Sequence, residues 1–157
     1  MASEVDQLVD EYLAGPSLLR RAVAGLSPEQ LRARPIPGKW STLEVVCHLS
    51  DFEAVYADRM KRVIAEQQPP LRSGDPDLFA ASLAYQSRDL DEELTLIETT
   101  RRQMARILRT VPPQTFQRTG IHSSDDPITL ETLLRRITGH IPHHLRFIEQ
   151  KRKALGV

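Results

Sequence analysis

Between Val45 and Val63 six apolar residues, Val45, Leu49, Phe52, Tyr56, Met60 and Val63, recur at intervals of three and four. At about 100° per residue they fall within roughly 80° of one another, a stripe that only an α-helix makes continuous. Its start is written in Ser41-Thr42-Leu43-Glu44. This is a capping box, in which Ser41 caps the free amides and Glu44 reaches back to the Ser41 amide. The helix should run to about Glu66. One long apolar stripe has to be buried, so the rest of the chain must supply the faces that cover it.

Three further segments supply such faces. Glu4 to about Ala24 places Val5, Leu8, Val9, Tyr12, Leu13, Leu18, Leu19 and Val23 at helical spacing, interrupted by Gly15-Pro16. Proline lacks the amide donor and crowds the preceding turn, so a kink or short break is expected there. A third long helix takes Leu90, Leu94, Ile97, Met104 and Leu108 as its stripe and ends at Pro112-Pro113. A fourth starts near Thr129 and buries Leu130, Leu134, Ile137, Ile141, Leu145 and Ile148. Ser27-Pro28-Glu29-Gln30 announces a short helical turn, and Asp75-Pro76 caps a further piece over Leu78 to Tyr85. The polar run Gln114–Pro127 has no clear period, and no segment alternates as a strand does. The expected fold is all-α, a four-helix bundle in one domain over residues 1–157. Long links before and after the second long helix leave room for crossover connections.

Charge and composition narrow the function classes. Lys plus Arg (21) equals Asp plus Glu (21), so no global basic field gathers nucleic acid or an anionic membrane. The basic groups Arg20, Arg21, Arg32, Arg34 and Arg146, Lys151, Arg152, Lys153 are local and lack interleaved aromatics. No stretch approaches the ~20 apolar residues that span a bilayer, and the acidic start does not read as a signal peptide. The single cysteine, Cys47, cannot form an internal disulfide, which fits a reducing compartment. A soluble cytoplasmic protein is expected.

Chemistry concentrates in the histidines. On the fourth helix, with Leu130 as origin, His140 falls near about 280°, His144 near about 320° and His143 near about 220°. His140 and His144 lie one turn apart on the shoulder of the core face, and His143 points away. On the second helix, with Val45 as origin, His48 takes the same shoulder near about 300° and Cys47 lies off the stripe near about 200°. If the two helices adjoin, His48, His140 and His144 meet. Three neutral imidazoles suit zinc, nickel, cobalt or iron, with a coordination position left for water or substrate. The plain alternative is that each is a hydrogen-bonded boundary residue. Glu44 and Asp51, one turn either side of His48, are candidate acceptors for its second nitrogen. His122 reads as solvent-facing or as a cover for the site. Trp40 reads as a hydrophobic plug or pocket wall, and Cys47 as packing against another helix or a partner subunit. Arg101 falls inside the third helix's stripe, where it pairs with a carboxylate, binds an acidic substrate or snorkels.

G-K-W-S-x-x-E-V-x-x-H-L-x-D-x-E from Gly38 to Glu53, with H-x-x-x-H-L-x-x-I from His140 to Ile148, resembles the DinB-like superfamily. That superfamily includes the YfiT-like metal-dependent hydrolases and bacterial low-molecular-weight thiol transferases. Arg88-Asp89-Leu90 and Thr129-Leu130 extend the resemblance over nearly the whole chain. It implies an up-down-down-up four-helix bundle, commonly a homodimer, holding a divalent metal, zinc or nickel, through His48, His140 and His144. Pro142 departs from this pattern: it removes the backbone bond to Thr138 and is expected to kink the helix between two ligands.

No protein general base is evident, so the nucleophile would be the metal-bound water or thiol itself. The chain then reads as a thiol S-transferase or hydrolase of small molecules, with a low-molecular-weight thiol as a possible cosubstrate. The competing reading is a non-catalytic, stress-associated bundle that binds metal or a small ligand.

Overall fold

The structure, a computed structural model, describes residues 3–122 and 126–157. Its helices are α1 (Glu4–Val23), α2 (Pro28–Arg32), α3 (Thr42–Ala65), α4 (Pro76–Ser82), α5 (Leu90–Leu108) and α6 (Leu130–Leu155). Side chains fix their starts. Ser3 with Asp6, Ser27 with Gln30 and Ser41 with Glu44 form capping boxes, and Asp75, Asp89 and Thr129 cap α4, α5 and α6. The helical piece expected to reach Tyr85 stops at Ser82, because Ala84 takes a left-handed conformation and a 3-10 turn, Tyr85–Ser87, follows.

The four long helices form the bundle, and their cross-contacts give its direction. Glu4 meets Arg135 at the start of α1 and α6, and Ala22 meets Arg152 near their ends, so these two run parallel. Arg20 reaches Asp91 and Glu98 while Asp10 reaches Arg109, so α5 runs against α1. Arg88 just ahead of α5 binds Asp51, and Lys61 binds Gln103, so α3 and α5 run parallel. The order is therefore up-down-down-up, with α3 antiparallel to α6. That adjacency is what the histidines need.

Two large apolar clusters make up most of the core. One gathers Leu8, Met60, Met104 and Leu134; the other gathers Leu19, Leu49, Ile97 and Ile141. A smaller third one gathers Leu31, Leu43, Cys47 and Tyr85. At the division between the two large clusters lies a charge. Arg101 is fully buried and pairs with Glu53 at 2.9 Å. It donates to the Tyr12 carbonyl at 2.7 Å and the Ile137 carbonyl at 2.9 Å, and stacks 4.5 Å from the Tyr12 ring centroid. The Tyr12 hydroxyl donates to Glu53 at 2.9 Å. One guanidinium thus ties α5 to all three of its companions, and of the roles open to Arg101 the carboxylate pair is the one realised.

Pro16 explains part of this. Without an amide it frees the Tyr12 carbonyl one turn back, and Arg101 takes that acceptor. The break expected at Gly15-Pro16 does not occur, since α1 continues to Val23. A Cβ on Gly15 would lie 2.5 Å from Arg101 Nη1 and 3.2 Å from Ile141 Cδ1. Gly15→Ala gains about 1 kcal/mol of helix propensity, but overpacking a held guanidinium costs about 1–3 kcal/mol. The variant should be the less stable in urea denaturation; a midpoint at or above wild type would contradict this account of Gly15.

A small sheet forms in the links, where the sequence showed no strand pattern. β1 (Pro70–Leu71) pairs in parallel with β2 (Thr119–His122), which pairs antiparallel with β3 (Pro127–Thr129). Strands of two to four residues are too short to show alternation. Gly120 also hides the pattern: a Cβ there would lie 2.7 Å from Leu71 Cδ1, so the strand needs a residue that strands otherwise avoid. Part of the polar run Gln114–Pro127 lies outside the described residues. Among the described residues, no helix is long and apolar enough to cross a membrane.

Candidate metal centre

His48 lies two turns into α3, where its ring is held between Trp40, centroids 5.1 Å apart, and Phe52, 4.8 Å apart. The antiparallel α6 brings His140 and His144 opposite. Ring centroids of all three pairs are 4.8 Å apart. The Nε2 atoms of His48 and His140 are 3.0 Å apart, and one nitrogen from each of the three rings lies within 4.8 Å of the others. Two nitrogens held by one ion at about 2.0–2.1 Å stand roughly 3.0–3.4 Å apart, so the His48–His140 spacing suits a shared ion. α6 runs through Pro142 as one helix, and both its imidazoles still reach the cluster.

Burial sets the charge state. It pushes the His48 imidazole down to about 4, His140 to about 3 and His144 to about 4. The field of His48 depresses the other two further. All three are neutral near pH 7, the form whose lone pair binds metal. Their Nδ1 atoms are buried without a hydrogen-bond partner. Glu44 and Asp51, the acceptors considered for His48, are committed elsewhere: Glu44 to the Ser41 amide and Arg34, Asp51 to Arg88. Three unsatisfied Nδ1 atoms are costly, and the donor set of neutral imidazoles fits a borderline divalent ion.

These shifts have a sign. Each imidazole binds its proton more weakly folded than unfolded, where its pKa is near 6.5. The unfolded chain therefore takes up more protons between pH 6.5 and about 4, and stability falls with pH across that window. The melting temperature of metal-free protein should be flat above pH 7 and decline below pH 6.5. A decline that starts only below pH 4.5, in the carboxylate range, would show that the histidines do not carry it.

The other sequence candidates are placed as follows. His143 is exposed beside Arg146, away from the cluster, as its wheel position indicates. His122 lies half-buried on β2, outside the cluster. Cys47 is fully buried among Leu31, Leu43 and Tyr85, with its thiol 3.5 Å from the Tyr85 carbonyl. Trp40 packs on His48 and also lines a cavity of about 350 Å³ with Val45, His144, Phe147 and Lys151. A larger groove of about 740 Å³ runs beside Arg59, Arg72 and Phe79, and no histidine lines it. Lys151, one of the local basic group with Arg146, Arg152 and Lys153, is 3% exposed. Its signal was present: it continues the fourth helix's stripe three residues after Ile148.

Fold and donor set together define a helical bundle of the kind that houses a metal between facing helices. The sequence profile of the DinB superfamily matches residues 11–148, and the chain belongs to that superfamily. Similar proteins include one from Bacillus licheniformis, 27% identical over 154 residues, covering 98% of this chain and 88% of that one. YfiT of Bacillus subtilis is 28% identical over 142 residues, covering 90% and 80%. The names of both propose a metal-dependent hydrolase. The solved YfiT structure, described as an unusual four-helix bundle, superposes with a TM-score of 0.90 at 26% identity, covering 99% of this chain and 91% of that one. A mycothiol-dependent maleylpyruvate isomerase shares the fold, with a TM-score of 0.72 at 10% identity, covering 92% and 60%.

Proposed function

We propose that this protein is a metal-dependent enzyme acting on small molecules, with His48, His140 and His144 holding one divalent ion, zinc or nickel. The observation that carries the reading is the convergence of three neutral imidazoles beside a cavity, His48 buried and His140 and His144 half-buried, each with an unpartnered Nδ1. The relatives' names add support for metal-dependent hydrolysis. When bound, a divalent ion lowers the pKa of water or of a thiol and supplies hydroxide or thiolate near neutral pH. The chain's own residues position and shield. The three imidazoles stay unprotonated, Trp40 and Phe52 exclude water from one side of His48, and the cavity beside His144 admits the substrate. Water as nucleophile makes the protein a hydrolase, and a low-molecular-weight thiol makes it an S-transferase. The lone buried thiol of Cys47 suits the cytoplasm, and the family resemblance favours a homodimer.

The test is turnover of an ester and amide panel and of an electrophilic thiol acceptor by zinc- or nickel-loaded protein, with and without added thiol. Thiol-independent hydrolysis that disappears in His144→Ala supports the hydrolase, and thiol-dependent conjugation that disappears likewise supports the transferase. Stoichiometric metal without turnover in either assay would favour the non-catalytic binding bundle.

A further inference from the structure

The cavity beside His144 has a composition that selects its occupant. Trp40, Val45, Phe147 and Ile36 give it apolar walls. Its rim carries one exposed charge of each sign, Lys39 and Asp77. Inside stands Lys151, 3% exposed, whose ammonium donates only to the Phe147 carbonyl, at 3.3 Å. Among the described residues no carboxylate pairs with it. The carboxylate whose field it feels, Glu44, is already bonded to Arg34 and the Ser41 amide. A buried ammonium left without a counter-charge is expensive, and Lys151 is one of the residues that line the cavity.

Its place on α6 gives the cavity a direction. Relative to His144, Phe147 and Lys151 fall within about 60° of one face of the helix. Seven residues at 1.5 Å each put Lys151 roughly 10 Å along the axis from His144. Two imidazoles, His140 and His144, then Phe147 and Lys151 thus follow one another along one side of α6, with His48 of α3 opposite the imidazole end.

We propose that this cavity is the subsite for a small monoanionic substrate, a carboxylate with an apolar or aromatic body, whose acid group pairs with Lys151. Its body lies between Trp40 and Phe147. Its reactive end reaches the three histidines, the part of the inference that rests on the metal-enzyme reading. Anion selection by Lys151 does not depend on a metal. The size agrees, since about 350 Å³ falls in the range of small-molecule sites. Trp40 and Lys151 are then specificity determinants for whichever reaction the site performs.

Trp40 is the chain's only tryptophan, so its fluorescence reports directly on the cavity. Zinc-loaded protein is titrated with 4-phenylbutyrate and with the neutral 4-phenylbutyramide, and the same titrations are run on Lys151→Met, Lys151→Arg and His48→Ala. The acid should bind at least 10-fold more tightly than the amide. That preference should vanish in Lys151→Met and persist in Lys151→Arg and His48→Ala. Equal binding of acid and amide, or saturable binding of neither, overturns the proposal; this comparison needs no substitution and holds even if Lys151→Met folds poorly. A preference that survives in Lys151→Met and is lost in His48→Ala also overturns it, by assigning the carboxylate to the metal. A wild-type protein that takes up no zinc yet prefers the acid sinks the metal reading and upholds the anion subsite.

Discussion

Arg101→Met is expected to be among the most damaging single changes in this protein, lowering stability by about 3–5 kcal/mol, the range for removing one partner of a buried ion pair. The reason lies in what is left behind. Glu53 is 1% exposed and would keep a charge with only the Tyr12 hydroxyl to answer it. The Tyr12 carbonyl would lose its donor in the turn where Pro16 has already withdrawn the helical one. For a chain of this length the loss corresponds to a fall in melting temperature on the order of 10 °C. Removing the opposing charge as well, in Arg101→Met with Glu53→Leu, should restore much of it, because apolar replacements of buried pairs are often neutral or better. Urea denaturation of both variants decides the matter. A single variant within about 1 kcal/mol of wild type would mean the pair contributes no more than an exposed one.

The second large effect is a change of sign. His48→Leu replaces a buried imidazole, its Nδ1 unpartnered, by an apolar side chain beside Trp40 and Phe52. Metal-free protein should be as stable as wild type or more so, since removing the unsatisfied Nδ1 outweighs the lost Nε2 contact to His140. With zinc the order reverses. An ion held at 1,000 times its dissociation constant stabilises the wild type by about 4 kcal/mol. The variant should forfeit that gain, its affinity falling by more than the roughly 10–100-fold typical of losing a mere supporting residue. Melting curves with and without zinc would show it. Equal stabilisation of both proteins by zinc would remove His48 from the ligand set.

What the sequence made legible follows from what has a period. The stripes and capping boxes of the long helices are local patterns, and α3 begins at Ser41 because Glu44 answers it three residues later. The histidine triad was legible because all three sit on the shoulder of a stripe, the position that faces a neighbouring helix groove. That α3 and α6 are the neighbours is not written in any period; the DinB-like motifs supplied that. The three-stranded sheet was illegible, because its strands are too short and Gly120 carries no side chain. Arg101 was visible as a charge in an apolar face, but its acceptors come from three other helices, and a carbonyl released by Pro16 leaves no mark of its own. Lys151 did not stand out, because with Arg146, Arg152 and Lys153 it makes up one local basic group.

The central claim is that His48, His140 and His144 together hold one divalent ion. X-ray absorption at the zinc edge on protein loaded with zinc and then desalted tests it most directly. The account predicts about one ion per chain with a shell of three imidazole nitrogens at roughly 2.0–2.1 Å. A protein that retains no ion, or an ion whose shell lacks imidazole, would contradict it.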